Sequence, residues 1–530
     1  MADLRPAEVK LWKAVVAGAP CEFSRSEPRI IGAAYLRFLL LGGDGDGSAH
    51  LNPIDVKGAR IEGVLDLDEC EAKRSMKAEA CRFEGGMMLN DASLRNFGLI
   101  GCFVKPIVGV PGLFARPTAI FAERLKASGS VYFRQGSRIF GAVALRHAKI
   151  DGSLDLCGSV FSPGTGGRAI DLTGAGVGGD LRLHGLYRGG VPDASQTRAP
   201  VRWFRSEGAI LLDHAEVGKD LYIVGADMRL AARARPAVDD VVLQGRGLTV
   251  KGGLFLHGGA RVEGISLLGA RVGVLIDRLE CWQFGAGRHR FDGFVYDRIA
   301  DESRFDRAAW LRTQRPRDLG EDQRRLGGAA ASDPNGLRRQ PWLQAAKALE
   351  DGGAKKKATE LRIALERQTT RTGNLFRQVW GNLYDALAAY GFRPGQLVLV
   401  TFGVWLVGAW AAHQIARHGD FVATKDKPSP AFQAQLAQCW RRAPPKPPVD
   451  WRIATGFCDE LLAPDYPAIY PWLYSVDVLV PALATGQTKA WQWRQHGGWR
   501  WILFLEAAYG YVAATALVGM IGAYIIRKSN

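Results

Sequence analysis

A glycine-rich run, Gly174-Ala-Gly-Val-Gly-Gly179, has the spacing of a dinucleotide-binding turn and follows the strand-like Ala169-Ile-Asp-Leu172. Such a turn holds a pyrophosphate only where a helix starts directly after it, because the helix N-terminus supplies the N–H donors. Here the chain continues Asp180-Leu-Arg-Leu-His-Gly185, which alternates with period two and predicts a strand. The glycines are therefore assigned to a structural repeat, and no cofactor-binding residue follows from them. Four histidines recur at related places. His147 and His214 each precede a small residue, and His184 and His257 each follow an apolar strand position. Stacked on one another they would make a ladder for a metal, but none has a His or Cys partner at ligand spacing. The expectation is four solvent-facing corner histidines and no metal ligand. The acidic pairs Asp66/Asp68 and Asp239-Asp240 read as solvated faces of strands and turns. The sequence contains no H-E-x-x-H, no P-loop lysine motif and no G-x-S-x-G, so no catalytic residue is assigned.

A second group of polar residues lies near the C-terminus, in Tyr470-Pro-Trp-Leu-Tyr-Ser-Val-Asp-Val-Leu-Val-Pro481. Pro471 suits a first helical turn, Leu473, Val476 and Val480 recur at helical spacing, and Pro481 and Gly486 break the pattern. Ser475, Asp477 and Pro481 are the residues of this external helix that an ion or a partner would meet. The helix reads as one lying on a membrane surface, with a re-entrant pore helix as the alternative. It stands between two long uncharged apolar runs, Gln396–Ala416 and Ala507–Ile526. About 20 apolar residues at 1.5 Å each cross a hydrocarbon core of about 30 Å. Glu506 is the one carboxylate at the edge of a span, and snorkelling to the interface is its expected fate. Cys439 and Cys458 can pair if their loop faces an oxidising compartment. The other six cysteines have no C-x-x-C spacing and read as reduced core residues.

What positions these residues is a repeat of the form small-x-apolar-x-Gly-x-apolar-x-apolar. It appears as Ala59-Arg-Ile-Glu-Gly-Val-Leu-Asp-Leu67, Ala148-Lys-Ile-Asp-Gly-Ser-Leu-Asp-Leu156 and Ala175-Gly-Val-Gly-Gly-Asp-Leu-Arg-Leu183. Further copies start at Cys81, Ser137 and Ala260, and in the copy from Ala215 to Ile223 Lys219 takes the glycine position. Period two makes short strands with one face inward, and the glycine permits a bend. No unit buries its inward face alone, so the units are expected to stack into a β-solenoid. Ile61, Leu65, Leu67, Ile150, Leu154, Leu156, Val177, Leu181, Leu183, Val262 and Leu267 are the predicted inward residues.

A length of 530 residues exceeds one domain, and 47% hydrophobic content with 64 glycines excludes a disordered chain. The predicted class is a mainly β solenoid with a helical N-terminal cap, a helical linker and a two-helix transmembrane C-terminus. The cap covers 1–50, with helices expected over 7–18 and Arg29–Leu41, and the solenoid covers 51–290. A helical linker, basic near the membrane, covers 291–395. A first span covers 396–416, an external loop 417–500, a second span 501–526 and a tail 527–530. The net charge of +16 is spread out. Much of it flanks the spans (Lys355, Lys356, Lys357, Arg377 and Arg393 before the first, Arg527 and Lys528 after the second), where anionic lipid rather than a specific nucleic acid is the expected partner. The same asymmetry places both termini and the solenoid in the cytoplasm. The N-terminus has no apolar core of the kind a signal peptide needs, which agrees with that placement.

The order of cap, A-x-I-x-G-x-L-x-L repeats, a Gln340-Pro-Trp342 helical hairpin and a two-span C-terminus resembles a family of bacterial membrane-associated β-solenoid proteins. Ser475-Val-Asp477 with Pro481 is similar to that family's C-terminal signature. Members often carry the label "membrane-associated oxidoreductase"; the resemblance brings structural motifs and no catalytic residue. The reading of the whole chain is an inner-membrane-anchored scaffold that binds a protein partner on its solenoid surface and is not an enzyme. An oligomeric ion channel with a pore-lining helix near 472–483 is the alternative, and the oxidoreductase label is a third.

Overall fold

The computed structural model describes residues 4–43, 51–107, 117–163, 167–191, 198–230, 241–300, 305–314, 337–371, 373–418, 421–424, 434, 438, 467–483, 485–493 and 498–529, with side chains of the last helix to Gly522. The chain divides into two units, Met1–Leu365 and Glu366–Asn530.

In the first unit the strands lie in three large sheets of 16, 9 and 8 strands, and every ladder between them is parallel. The chain visits the rows in a fixed order. Val131–Arg134 enters the large sheet, Arg138–Phe140 the nine-stranded sheet and Ala142–Ala144 the eight-stranded one. Lys149–Ile150 then joins the second arm of the large sheet, and Leu154–Asp155 returns to pair with Val131–Arg134. The repeat therefore occurs in two settings. Copies from Ala59, Cys81, Ser137 and Ala260 join the nine- to the eight-stranded sheet, whereas those from Ala148, Ala175 and Ala215 join the two arms of the large sheet.

The two settings use glycine differently. In the first, Gly63, Gly141 and Gly264 have φ of 90°, 116° and 89°, where a side chain is strained. The exception is Gly85 of the copy from Cys81, which has no positive φ and whose Cβ would come within 2.5 Å of the Gly63 backbone. In the second, Gly152 and Gly179 have ordinary angles and are needed for closeness. A Cβ on Gly179 would come within 2.9 Å of the Gly152 backbone, and one on Gly152 within 2.7 Å of Gly129. Lys219 stands in the second setting, where no positive φ is demanded.

Each of the eleven predicted inward residues is at most 4% exposed. They belong to one continuous core that also takes in Leu11 and Val15 of the first helix, Pro6–Ala17. The expected helix over Arg29–Leu41 is a strand, Ile30–Gly32, followed by a helix, Ala33–Leu40. The β-branched Ile30 and Ile31 pair with Arg60 and Ile61, and the extended Gly32 donates its N–H to Glu8 Oε1 at 2.8 Å. At the far end the large sheet continues past residue 290 into Val295–Ile299, so the linker's first residues belong to the sheet. Trp282, Phe291, Phe294 and Trp310 close that end around the buried pair Asp277–Arg307, 2.8 Å apart. Asp277 also accepts from Trp282 Nε1, so the buried carboxylate is held by a cation and a neutral donor.

The second unit is helical. Leu375–Ala388, capped by the Asn374 side chain, precedes Pro394–Arg417. The short helix Pro471–Leu479 packs against both Pro394–Arg417 and Arg500–Ser529. Phe421–Ala423 and Trp491–Trp493 form a small antiparallel pair beside it. The helices Pro394–Arg417 and Arg500–Gly522 are long and apolar enough to cross a membrane.

Candidate functional site

Along the first arm of the large sheet, Tyr132, Asp155, Arg182, Tyr222 and Phe255 occupy one register position on successive strands. Period-two alternation turns this position away from the core, because its neighbours Val131, Leu154, Leu181, Leu221 and Leu254 all point in. Two residues further along the same strands come Arg134, Cys157, His184 and His257. With Leu186, Tyr187 and Val191 of the next connection they line a cavity of about 660 Å³. Antiparallel bridging of Leu186 to Arg202 holds that connection against the sheet.

The cavity's polar groups are largely fixed. Asp155 accepts from Cys157 N–H at 3.0 Å and lies 3.5 Å from Arg134 and 4.0 Å from Arg182. Arg182 is held more tightly by Asp180, at 2.7 Å. Tyr222 donates to Asp220 at 3.1 Å and stacks on Phe255 with ring centres 4.6 Å apart. His184 Nδ1 lies 2.7 Å from Gly185 O; a carbonyl only accepts, so the proton sits on Nδ1. Burial lowers the pKa of His184, and it pushes the Cys157 thiol up to about 12. A protonated thiol directed at a carbonyl is not a nucleophile.

His147 and His214 are exposed corner residues with φ of 55° and 56°, as the repeat predicts. His184 and His257 instead are buried against Tyr222 and Phe255, because the connection after Gly185 covers them. The expectation of four solvent-facing histidines thus fails for two. Among the described residues no cluster of three His, Cys, Asp or Glu side chains could hold a metal. In the glycine run, Gly176 pairs within a strand and the chain continues into the strand Leu181–Arg182, not a helix. Asp68 receives the backbone and side-chain N–H of Asn90 on the next turn. Asp239, Asp240, Cys439 and Cys458 lie outside the described residues.

In the second unit the structure brings together Ser475 and Glu506. The Ser475 hydroxyl lies 2.5 Å from Glu506 Oε1 and 3.2 Å from Trp405 O, tying all three helices at one point. Glu506, expected to snorkel, is 2% exposed. Room for it exists because position 408 is glycine: a Cβ there would meet the carboxylate at 2.1 Å. Asp477 is also buried, and Oδ1 accepts Thr485 N–H at 2.6 Å while Oδ2 accepts Thr488 N–H at 3.2 Å. Burial opposes its charge, but donors from Thr485, Thr488 and Gln487 prevail and hold its carboxyl below the usual range. Pro481 opens the turn Pro481–Leu483 that carries the chain back to those donors. Sequence reasoning missed Gly408 and Gly510, whose Cβ would sit 2.0 Å from Leu479 O. The available signal was small residues inside apolar runs, which let helices approach closely.

No protein-family model matches the chain, nor does any curated protein or solved structure.

Proposed function

We propose that this chain is a membrane-anchored, non-enzymatic scaffold whose parallel rows form one β-solenoid that binds a protein partner at the cytoplasmic side of a bacterial inner membrane. The observation that carries the reading is the apolar surface of the two long helices. Val398, Leu399, Phe402, Phe504, Leu505 and Val518 are each more than half exposed, on helices of span length. Apolar surface of that extent needs a covering, and lipid covers both helices at once. The fixed succession of parallel rows supports the solenoid, and the cavity beside Arg134 and His184 is the place on its surface where a partner's side chains would insert. The resemblance noted above agrees with this assignment.

The anchor is tested by washing membranes with alkaline carbonate; full-length protein should stay with the lipid, and release into the wash would overturn the reading. Orientation is tested with a reporter active only in the cytosol, which should work after Asn530 and fail when inserted near Pro447. Planar-bilayer recording of the purified chain separates a scaffold from an ion-conducting oligomer. A flavin or nicotinamide absorbance in that sample would favour the oxidoreductase label.

A further inference from the structure

The helix Leu375–Ala388 leaves its apolar side uncovered. Leu375, Phe376, Val379, Trp380 and Leu383 are between 40% and 77% exposed. At 100° per residue these five fall within an arc of about 140°. Asp385 occupies the opposite side, where it pairs with Arg367 at 2.9 Å. The helix is pinned to the following span, since Gln396 Nε2 donates to Ala386 O at 2.6 Å.

Beside this face runs a slot of about 210 Å³, with Trp380, Leu383 and Leu387 on one wall and Val512, Ala516 and Gly519 of the last helix on the other. Its lining is mostly apolar, with Tyr384 and Thr515 as its polar members. Thr515 turns its hydroxyl to Tyr511 O at 2.8 Å, and a Cβ on Gly519 would meet nothing within 4 Å, so the slot stays open there. Two guanidiniums bracket the helix: Arg377 in its first turn and Arg393 just beyond its end, both exposed. Among the described residues neither has a carboxylate within ion-pair distance, in contrast to Arg367.

We infer that Leu375–Ala388 lies in the membrane interface and, with the last helix, forms a binding site for an anionic glycerophospholipid, one acyl chain in the slot and the headgroup in the positive field of Arg377 and Arg393. Three features select lipid as the occupant. The exposed face is continuous along the chain with the apolar surface of the span that begins at Pro394. The groove beside it is lined mainly by apolar side chains. The uncompensated charge at its ends is positive, as a headgroup phosphate requires. The inference rests on the membrane anchor proposed above.

The test is native mass spectrometry of the full chain in detergent with added dioleoyl phosphatidylglycerol or dioleoyl phosphatidylcholine. Wild type should retain the anionic lipid and release the zwitterionic one. Retention should fall about tenfold when Arg377→Gln and Arg393→Gln are combined, each charge contributing to headgroup attraction. Gly519→Phe, which fills the slot, should abolish retention, while both variants stay with carbonate-washed membranes. Equal retention of the two lipids, or anionic retention unchanged in both variants, overturns the lipid site and leaves the anchor standing. Release of wild type by carbonate overturns both.

Discussion

The Ser475 hydroxyl lies 2.5 Å from the Glu506 carboxylate and joins the short helix to the last one, over a floor that Gly408 leaves empty. The floor matters more than the charge. Gly408→Val should displace the carboxylate and cost about 1–3 kcal/mol or more through overpacking. Glu506→Gln keeps an oxygen for Ser475 and should cost within about 1 kcal/mol. Thermal denaturation of the detergent-solubilised chain decides, and equal losses from the two would argue against this division of labour.

Asp477 holds a turn rather than facing an aqueous space. Asp477→Asn puts an N–H₂ group against either Thr485 N–H or Thr488 N–H and should destabilise by about 1–3 kcal/mol. Paired melting curves and bilayer recordings separate the roles. A variant that melts like wild type but alters an ion current would place Asp477 at a pore.

The glycine run gives a sharper contrast. A Cβ on Gly178 would sit 2.4 Å from Asp151 O, while one on Gly176 would meet nothing within 4 Å. Gly178→Ala should therefore lower the melting temperature by several degrees, and Gly176→Ala should leave it nearly unchanged. Neutral behaviour at Gly178 would contradict the close stacking of turns.

Leu154 points into the core and Asp155 out of it. Leu154→Asp buries a carboxylate without a partner and should cost more than about 3 kcal/mol. Asp155→Asn loses the shared acceptor of Arg134 and Arg182 and should cost on the order of 1 kcal/mol, because both guanidiniums remain partly solvated. Urea titration of the two variants would expose a reversed register as a reversed order of midpoints.

His289 predicts an acid sensitivity. It is fully buried, accepts from Ile265 N–H at 3.1 Å and donates to Trp282 O at 2.7 Å, which requires the neutral ring. Burial lowers its pKa from 6.5 to about 4. Between those values the unfolded chain binds the proton and the folded one does not, so stability falls as pH drops through that window. The loss is complete below about pH 4 and amounts to roughly 3 kcal/mol at 1.36 kcal/mol per unit. Melting temperature against pH should flatten in His289→Gln; an unchanged slope would show that other groups carry the effect.

Much of the strand pattern was legible because the inward leucines and isoleucines recur with period two, and burial of one apolar face is what a strand's sequence records most directly. Ile30 and Ile31 show the limit. Their spacing also fits a helix, and only pairing with Arg60 and Ile61, a long-range contact, decides for the strand. His184 and His257 could not be placed from local spacing, since a connection some residues away covers them. Ser475 and Asp477 were visible as polar residues of a short helix. Their partners, Glu506 and the N–H groups of Thr485 and Thr488, come from separate stretches of chain, and Gly408 announces itself by a missing side chain.

The ends of the parallel rows carry a consequence for solubility. A row that stops leaves unpaired N–H and C=O groups that can recruit the same row from another molecule and seed a fibre. At one end Lys10 Nζ covers Glu22 O at 2.7 Å beneath the first helix. At the other, Gln344 Nε2 donates to Tyr296 O at 3.0 Å from the helix Arg339–Asp351. Each segment occupies an acceptor at a row end, and truncating either should raise self-association, read as light scattering of the purified chain.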